Sequence, residues 1–352
     1  MSFWKNKTVL ITGHTGFKGS WLVFYLNYLG AKIVGYSLKP EKYHKLFKIL
    51  NIKKNITANI FGDINDNKKI LFIIKKFKPE FIFHLAAQPF VIDSFKKPIS
   101  NYKTNISGTI NILESARDLN FLRSVVIVTS DKCYKILNDN IPYKEESHLG
   151  GDDPYSASKA CAEIIANSYA KSFFKKKTTN ISTVRSGNIL GGGDWGKNRL
   201  IPDIINSFKN KKKINIRNIN SVRPWTYILD TLTGYLLVAQ KNYDSNKHLG
   251  AWNFSSKHYF KKTVEAIIEY AVSQNFLKKK NILLKKKSFK ETHLLAIDSK
   301  KAKKLLGWAP KLNFYETLEY TFEWYKKYFQ KENMEMFTLY QLKKYLKKKN
   351  IY

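Results

Sequence analysis

The chain is expected to be an α/β protein: a Rossmann-type doubly wound parallel sheet with a smaller, mixed C-terminal domain. Three observations predict it. Through residues 1–187, short apolar runs of strand length alternate with helical segments, the pattern of βα units on a parallel sheet. The first run, Val9-Leu10-Ile11, leads into Gly13, Gly16 and Gly19, spaced by three, and then into a helix start at Ser20–Leu26. Beyond residue 187 the alternation weakens. Residues 188–330 read as a mixed region and 331–352 as a helical tail.

A strand, a glycine turn and a helix start make a seat for a phosphate. Gly13 permits the tight turn, Gly16 lets backbone N–H groups approach a pyrophosphate, and Gly19 lets the helix pack close to the strand. The helix N-terminus adds favourable charge. Thr15 and Phe17 lie within the same loop, so Gly13, Thr15, Gly16, Phe17 and Gly19 are the expected dinucleotide contacts.

Composition narrows the class. The 352 residues are 43% apolar, enough for a sizeable core, and no apolar run reaches the length of a membrane span. The N-terminus goes straight into the first strand without a leader pattern, so a cytoplasmic protein is expected. Cys133 and Cys161 have no metal-ligand spacing and make no disulfide framework; no metal is expected. The formal net charge is +35, but the lysines fall in scattered triplets at 175–177, 211–213, 278–280, 285–287 and 347–349. No aromatic residues alternate with them as on a single-strand platform. We therefore read the charge as solvated surface, with no nucleic-acid or membrane partner, although a positive field draws in anionic substrates.

Residues 32–37 read as the second strand. An acidic residue after it would hold the adenosine ribose, but Ser37, Leu38 and Lys39 stand there, so the residues leave NAD and NADP open. Ile56–Phe61 is a third strand. Asp63 beyond it either accepts from an adenine amine or caps the following helix. The fourth strand runs from Pro79 into Leu85, Ala86, Ala87 and Gln88, small residues against which a cofactor can lie. His84 within it reads as a core histidine. Ile99–Leu119, with Asn105, has helical periodicity. The fifth strand, Ser124–Ser130, ends in Asp131-Lys132-Cys133-Tyr134, where parallel sheets place their ligands.

Asp153 and Pro154 start a helix. Tyr155 and Lys159, four apart on it, share one face. An ammonium beside a phenol is expected to lower the phenol's pKa and so equip it for proton transfer with a hydroxyl or ketone. Asn180–Ser186 is a sixth strand, followed by the loop Gly191-Gly192-Gly193-Asp194-Trp195. A helix starts at Arg199-Leu200, and Arg217 and Arg223 lie in the mixed region. An arginine can hold a pyrophosphate through paired bonds. The aromatic, basic stretch from Glu316 reads as packing or assembly surface.

Taken together, the glycine loop and Tyr155-x-x-x-Lys159 resemble the extended short-chain dehydrogenase/reductases. Phe17-Lys18-Gly19-Ser20-Trp21, His84–Pro89, Val128–Tyr134, Asp153–Ala160, Gly187–Trp195, Val222–Trp225 and Gly250–Phe254 are similar to the CDP-glucose 4,6-dehydratase branch. In that branch Asp-Lys replaces the Asp-Glu of most related dehydratases after the fifth strand. The resemblance implies NAD as cofactor, with Asp63, Leu85, Ala86 and Ala87 joining the loop in holding it. It implies CDP-glucose as substrate and a 4-keto-6-deoxy sugar nucleotide as product, a precursor for surface polysaccharide. The mixed region would then be a substrate-binding domain. Tyr155 would take the 4-hydroxyl proton, with Lys159 tuning it and holding the nicotinamide ribose. Ser130 would bond the 4-oxygen. Asp131 would protonate the leaving 6-hydroxyl, and Lys132 would act as base at C5 or stabilise the enolate. Gln88, Asn188, Arg199, Leu200, Arg217 and Arg223 would hold the sugar nucleotide. A homodimer, paired through two helices of the large domain, or a higher homo-oligomer is implied as well. Two other readings share parts of this pattern. A nucleotide-sugar 4-epimerase or reductase on the same scaffold would keep Ser130, Tyr155 and Lys159 but needs no acid at 131. A non-catalytic dinucleotide-binding protein that contacts nucleic acid would need neither Tyr155 nor Lys159.

Overall fold

A computed structural model of the chain describes residues 2–137, 141–175, 178–216, 218–256, 263–284 and 296–350. Its centre is a seven-stranded sheet. The first six strands are β1 (Thr8–Thr12), β2 (Lys32–Ser37), β3 (Ala58–Phe61), β4 (Phe81–His84), β5 (Ser124–Val128) and β6 (Asn180–Ser186). The seventh, Gly250–Phe254, joins at the edge beside β6. In space the order is β3-β2-β1-β4-β5-β6 and then Gly250–Phe254, all pairs parallel. The strand order reverses between β1 and β4, which opens a crevice at their carboxyl ends.

Both faces of the sheet are covered, and the strand period of two divides the apolar residues between them. Val9, Ile11, Phe81, Phe83, Val126 and Val128 face helix α1 (Phe17–Tyr28) and the helix Ile228–Asp244. Leu10, Ile82, Val125 and Ile127 face the helices Asn67–Phe77, Gly108–Ser115 and Pro154–Phe173. Such two-sided burial explains why these strands are nearly continuous apolar runs.

The six expected strands are all present, though the fourth, expected from Pro79 through Gln88, is confined to Phe81–His84. The seventh was not expected as a strand; Ala251, Trp252 and Phe254 are too few to show a period. The expected helix Ile99–Leu119 is instead Pro98–Tyr102, a π turn at Lys103–Ser107, and Gly108–Ser115. Residues beyond 188 are interleaved with the first region, since they supply the seventh strand and the helix Ile228–Asp244. The C-terminal segment is a helix, Met334–Leu346, whose Leu342 and Tyr345 are buried in the main core. Tyr345 donates to the buried Asp230 at 2.8 Å.

Candidate active site

The glycine loop shows which glycines the protein itself demands. Gly13 has φ +74, and a Cβ there would lie 2.7 Å from the Ala86 nitrogen. At Gly19 a Cβ would lie 2.2 Å from the Gly13 oxygen, so α1 sits directly on the turn. Gly16 differs: its φ is −74 and a Cβ there would meet nothing nearer than 3.4 Å. The chain has no need of glycine at 16, and the space it leaves opens at the start of α1, where an anion is favoured. Thr15 turns its hydroxyl to Ser37 Oγ at 2.9 Å, tying the loop to the end of β2. Phe17 is half-buried, with its ring beside Gly191. At the end of β4, Leu85 and Ala86 donate their N–H groups to the Thr12 carbonyl and hydroxyl, at 3.1 and 3.2 Å. Leu85, Ala86 and Ala87 are half-buried along the crevice. These residues fit a dinucleotide.

Asp63 is exposed and accepts from the Asn65 N–H at 2.9 Å. The next helix is capped by Asp66, which accepts from Lys69 at 3.0 Å, so the capping alternative for Asp63 falls away. His84 is a core residue, bonded through Nδ1 to Thr12 Oγ1 at 2.8 Å, and burial pushes its imidazole down to about 3.

Ser130, Asp131 and Lys132 come together at the end of β5, where Asp131–Cys133 forms a single 3-10 turn. Ser130 Oγ donates to Asp131 Oδ1 at 2.9 Å and accepts from the Lys132 N–H at 3.3 Å. Asp131 is buried, and its Oδ2 has no hydrogen-bond partner among the described residues. A Cβ on Gly187 would lie 3.0 Å from that oxygen and 2.4 Å from Pro224. Glycine at 187 therefore lets the 223–225 segment close on Asp131.

Tyr155 and Lys159 lie on the helix Pro154–Phe173, whose N-terminus is capped by Asp153 accepting from Ser156 at 3.0 Å. The Tyr155 phenol hydrogen-bonds Ser130. Lys159 Nζ donates to the Val128 carbonyl at 3.2 Å and lies 6.0 Å from the Tyr155 ring centre. The expected lowering of the phenol is not what this arrangement produces. Burial pushes Tyr155 up to about 12 against the Ser130 bond, and burial pulls Lys159 down to about 8 while Glu163 opposes it. The ammonium is spent on a carbonyl, so desolvation of the phenolate prevails.

One residue that ties the site together was not singled out from the sequence. Asn105, on the π turn, accepts from the Gln88 N–H at 2.8 Å and donates to the Gln88 carbonyl at 3.2 Å and to Ser158 Oγ at 2.9 Å. The signal for it was weak: one Asn inside a helical period, with nothing to announce a π turn, a feature frequent at functional sites. Gln88 itself donates to Ser100 at 3.2 Å.

The opposite wall holds Asn188, Arg199, Leu200 and Arg223. Arg199 is the N-cap of the helix Leu200–Asn210; it pairs with the buried Asp194 at 3.0 Å and lies over Phe90 at 5.0 Å. Tyr325 donates to the Asp194 carbonyl at 2.5 Å, which locks that loop to the core. Asn188 pairs its carbonyl with the Thr226 N–H at 3.0 Å, drawing the 223–226 segment across the cleft. Arg223 Nη1 donates to the Val222 carbonyl at 2.8 Å. Arg217 lies outside the described residues. No group of His, Cys, Asp and Glu among the described residues has the geometry of a metal site. No helix among them is long and apolar enough to cross a membrane.

Known proteins show the same plan. A model of the family described as GDP-mannose 4,6 dehydratase matches residues 10–321. The CDP-glucose 4,6-dehydratase of Salmonella typhimurium is 41% identical over 339 residues, covering 95% of this chain and 94% of its own. The dTDP-D-glucose 4,6-dehydratase of Dictyostelium discoideum is 32% identical over 66% of this chain and 55% of its own. Among solved structures, the dTDP-glucose 4,6-dehydratase of Bacillus anthracis in complex with NAD superimposes with a TM-score of 0.77 at 25% identity, covering 91% of this chain and 97% of its own. The UDP-glucose 4-epimerase of Thermotoga maritima, at 21% identity and a TM-score of 0.78 over 92% and 99%, shares the fold.

Proposed function

The chain belongs to the GDP-mannose 4,6-dehydratase family, and from that premise we propose that it is a hydro-lyase, a CDP-glucose 4,6-dehydratase. It takes CDP-D-glucose to CDP-4-dehydro-6-deoxy-D-glucose and water. The observation that carries the reading is the Ser130–Asp131 pair beside Tyr155, with one buried Asp131 oxygen aimed at no protein partner. An epimerase needs Ser130, Tyr155 and Lys159 but has no use for that oxygen. The 41% identity over nearly the whole chain favours CDP-glucose among the sugar nucleotides.

The residues fit NAD, whose nicotinamide when bound would accept the C4 hydride and, once water has left, give it back at C6 while a proton returns to C5, so that no net oxidation occurs. Gly13, Thr15, Gly16, Phe17 and Gly19 would hold its diphosphate, with Leu85, Ala86 and Ala87 beneath and Asp63 at the adenine end. Tyr155 takes the proton from the sugar 4-hydroxyl while Ser130 donates to the same oxygen. With its phenol near 12 in the protein alone, Tyr155 does this only with a cation beside it, the charge Lys159 carries below about pH 8. A ketone at C4 acidifies the C5 hydrogen. Lys132 then removes that proton or steadies the enolate by charge. Asp131 gives its proton to the departing 6-hydroxyl. Arg199, Asn188, Leu200, Gln88, Arg217 and Arg223 hold the substrate's nucleotide and diphosphate, and the Asp194 pair fixes Arg199 in direction.

The reading includes a homodimer. The helices Val91–Lys96, Pro98–Tyr102 and Pro154–Phe173 pack on one another, and they expose Ile99 at 82% and Ile164 at 56%. Free Cys133 and Cys161 suit a reducing compartment, in keeping with a cytoplasmic enzyme. The test offers CDP-, dTDP-, GDP- and UDP-glucose in parallel, with NAD and then NADP, and scores 4-ketosugar formed. Turnover of CDP-glucose with NAD is expected. Efficient turnover of another nucleotide in its place overturns the substrate, and 4-epimer without water loss overturns the reaction.

A further inference from the structure

Lys18 is the second residue of α1, in the turn that follows the glycine loop. A cation is out of place there, because the first turn of a helix carries partial positive charge. No acidic residue in that turn offsets it. Nor does the side chain turn out to water. It is half-buried and runs across the crevice, where Nζ donates to Ser186 Oγ at 3.4 Å. Ser186 ends β6, and β4 and β5 lie between β6 and β1, so the lysine stem crosses the carboxyl ends of the central strands. Ser186 is held in turn by the Tyr235 hydroxyl at 2.8 Å.

The charges around Nζ are of both signs. Lys159 and Arg199 repel it, Asp131 and Asp194 attract it, and burial outweighs all four, bringing the ammonium down to about 7. Asp194 is already engaged by Arg199 at 3.0 Å, and Asp131 is bonded through Oδ1 to Ser130 at 2.9 Å, with no hydrogen bond to Lys18 among the described residues. Three cations thus converge beside a loop built to receive phosphate. Holding buried like charges together is costly unless an anion joins them. A diphosphate seated at Gly16 supplies that anion within reach of α1's first turn.

Resting on the NAD reading above, we propose that Lys18 is a cofactor-binding residue. It clamps the diphosphate on its nicotinamide side against the end of β6 and so sets how far the nicotinamide reaches toward Tyr155. Backbone N–H groups bind the diphosphate from the loop side, and Lys18 adds a full charge from the cleft side. The set of contacts around the glycine loop is thereby extended by a side chain that the glycine spacing cannot reveal.

The test is equilibrium binding of NAD, ADP-ribose and AMP to the full-length wild-type, Lys18→Met and Lys18→Arg proteins, with thermal melting to verify folding. Lys18→Met is expected to weaken NAD and ADP-ribose by about 10- to 100-fold, the range of a charge-assisted hydrogen bond, and to leave AMP within about twofold. Lys18→Arg should recover part of the loss. Unchanged NAD and ADP-ribose binding in Lys18→Met overturns the proposal while the NAD reading stands. Equal weakening of AMP points to a distorted loop and overturns it too. If the wild-type protein binds no NAD, the cofactor reading fails first and the role of Lys18 falls with it.

Discussion

Asn105 Nδ2 donates to Ser158 Oγ at 2.9 Å while its Oδ1 accepts the Gln88 N–H at 2.8 Å. One buried carboxamide thus ties the helix that bears Tyr155 and Lys159 to the loop leaving β4. Asn105→Leu leaves the Gln88 backbone unsatisfied and should cost about 1–3 kcal/mol of stability. It should also lower kcat/KM, because the two walls of the cleft lose their register. Urea denaturation and steady-state kinetics check both, and a variant as stable and active as the parent would refute the link.

Asp131→Asn keeps the size of the side chain and its bond with Ser130 but has no acidic proton to give. Sugar oxidation should continue and water loss should fall by about 10²- to 10⁴-fold, the usual worth of an acid catalyst. Reduced cofactor should therefore build up on the enzyme after substrate is added. Absorbance of bound NADH and mass spectrometry of the sugar product read the two halves separately.

Tyr155→Phe removes the group proposed to take the 4-hydroxyl proton. No bound NADH should form with substrate, while NAD affinity stays near that of the parent. Normal NADH formation would remove Tyr155 from the mechanism.

Burial holds His84 near 3, against an ordinary value of 6.5. The native protein keeps it neutral, whereas the unfolded chain takes up a proton below pH 6.5. Its contribution is therefore whole above pH 6.5 and is lost as pH falls toward 3. At pH 5 the loss from this one group is about 2 kcal/mol. Asp230 acts oppositely: burial raises it to about 7 from 3.8, so the native state holds the extra proton and stability declines as pH rises between those values. His84→Asn should flatten the loss between pH 7.5 and pH 5 in urea titrations, and Asp230→Asn should steepen it.

Ile99→Lys with Ile164→Lys should turn a dimer into a monomer, since two charges per subunit would be forced into the helix interface. Light scattering after size exclusion reads the mass. A mass of two subunits in the double variant would place the interface elsewhere.

The β1–glycine loop–α1 unit was legible because each part has a local cause: β-branched residues for the strand, a positive φ at Gly13, a close approach at Gly19. Tyr155 and Lys159 were legible because helical period alone puts them on one face. What the period cannot show is where a long side chain ends or how deeply its neighbour is buried: the Lys159 ammonium reaches the Val128 carbonyl, and burial, which no spacing reveals, outweighs it at the phenol. Asp131 was found from its place at a strand end, but its orphaned oxygen depends on Gly187 and Pro224, far along the chain. The seventh strand and the π turn at Lys103–Ser107 follow from tertiary packing, which overrides local pattern in such short segments.

The edge strand Gly250–Phe254 pairs with β6 in register from Gly250 with Ser182 to Phe254 with Ser186. A fragment ending at residue 187 would expose the flank of β6 as an open ladder of amides, inviting self-association. The residues beyond 187 cannot then be exchanged as a cassette without opening that flank.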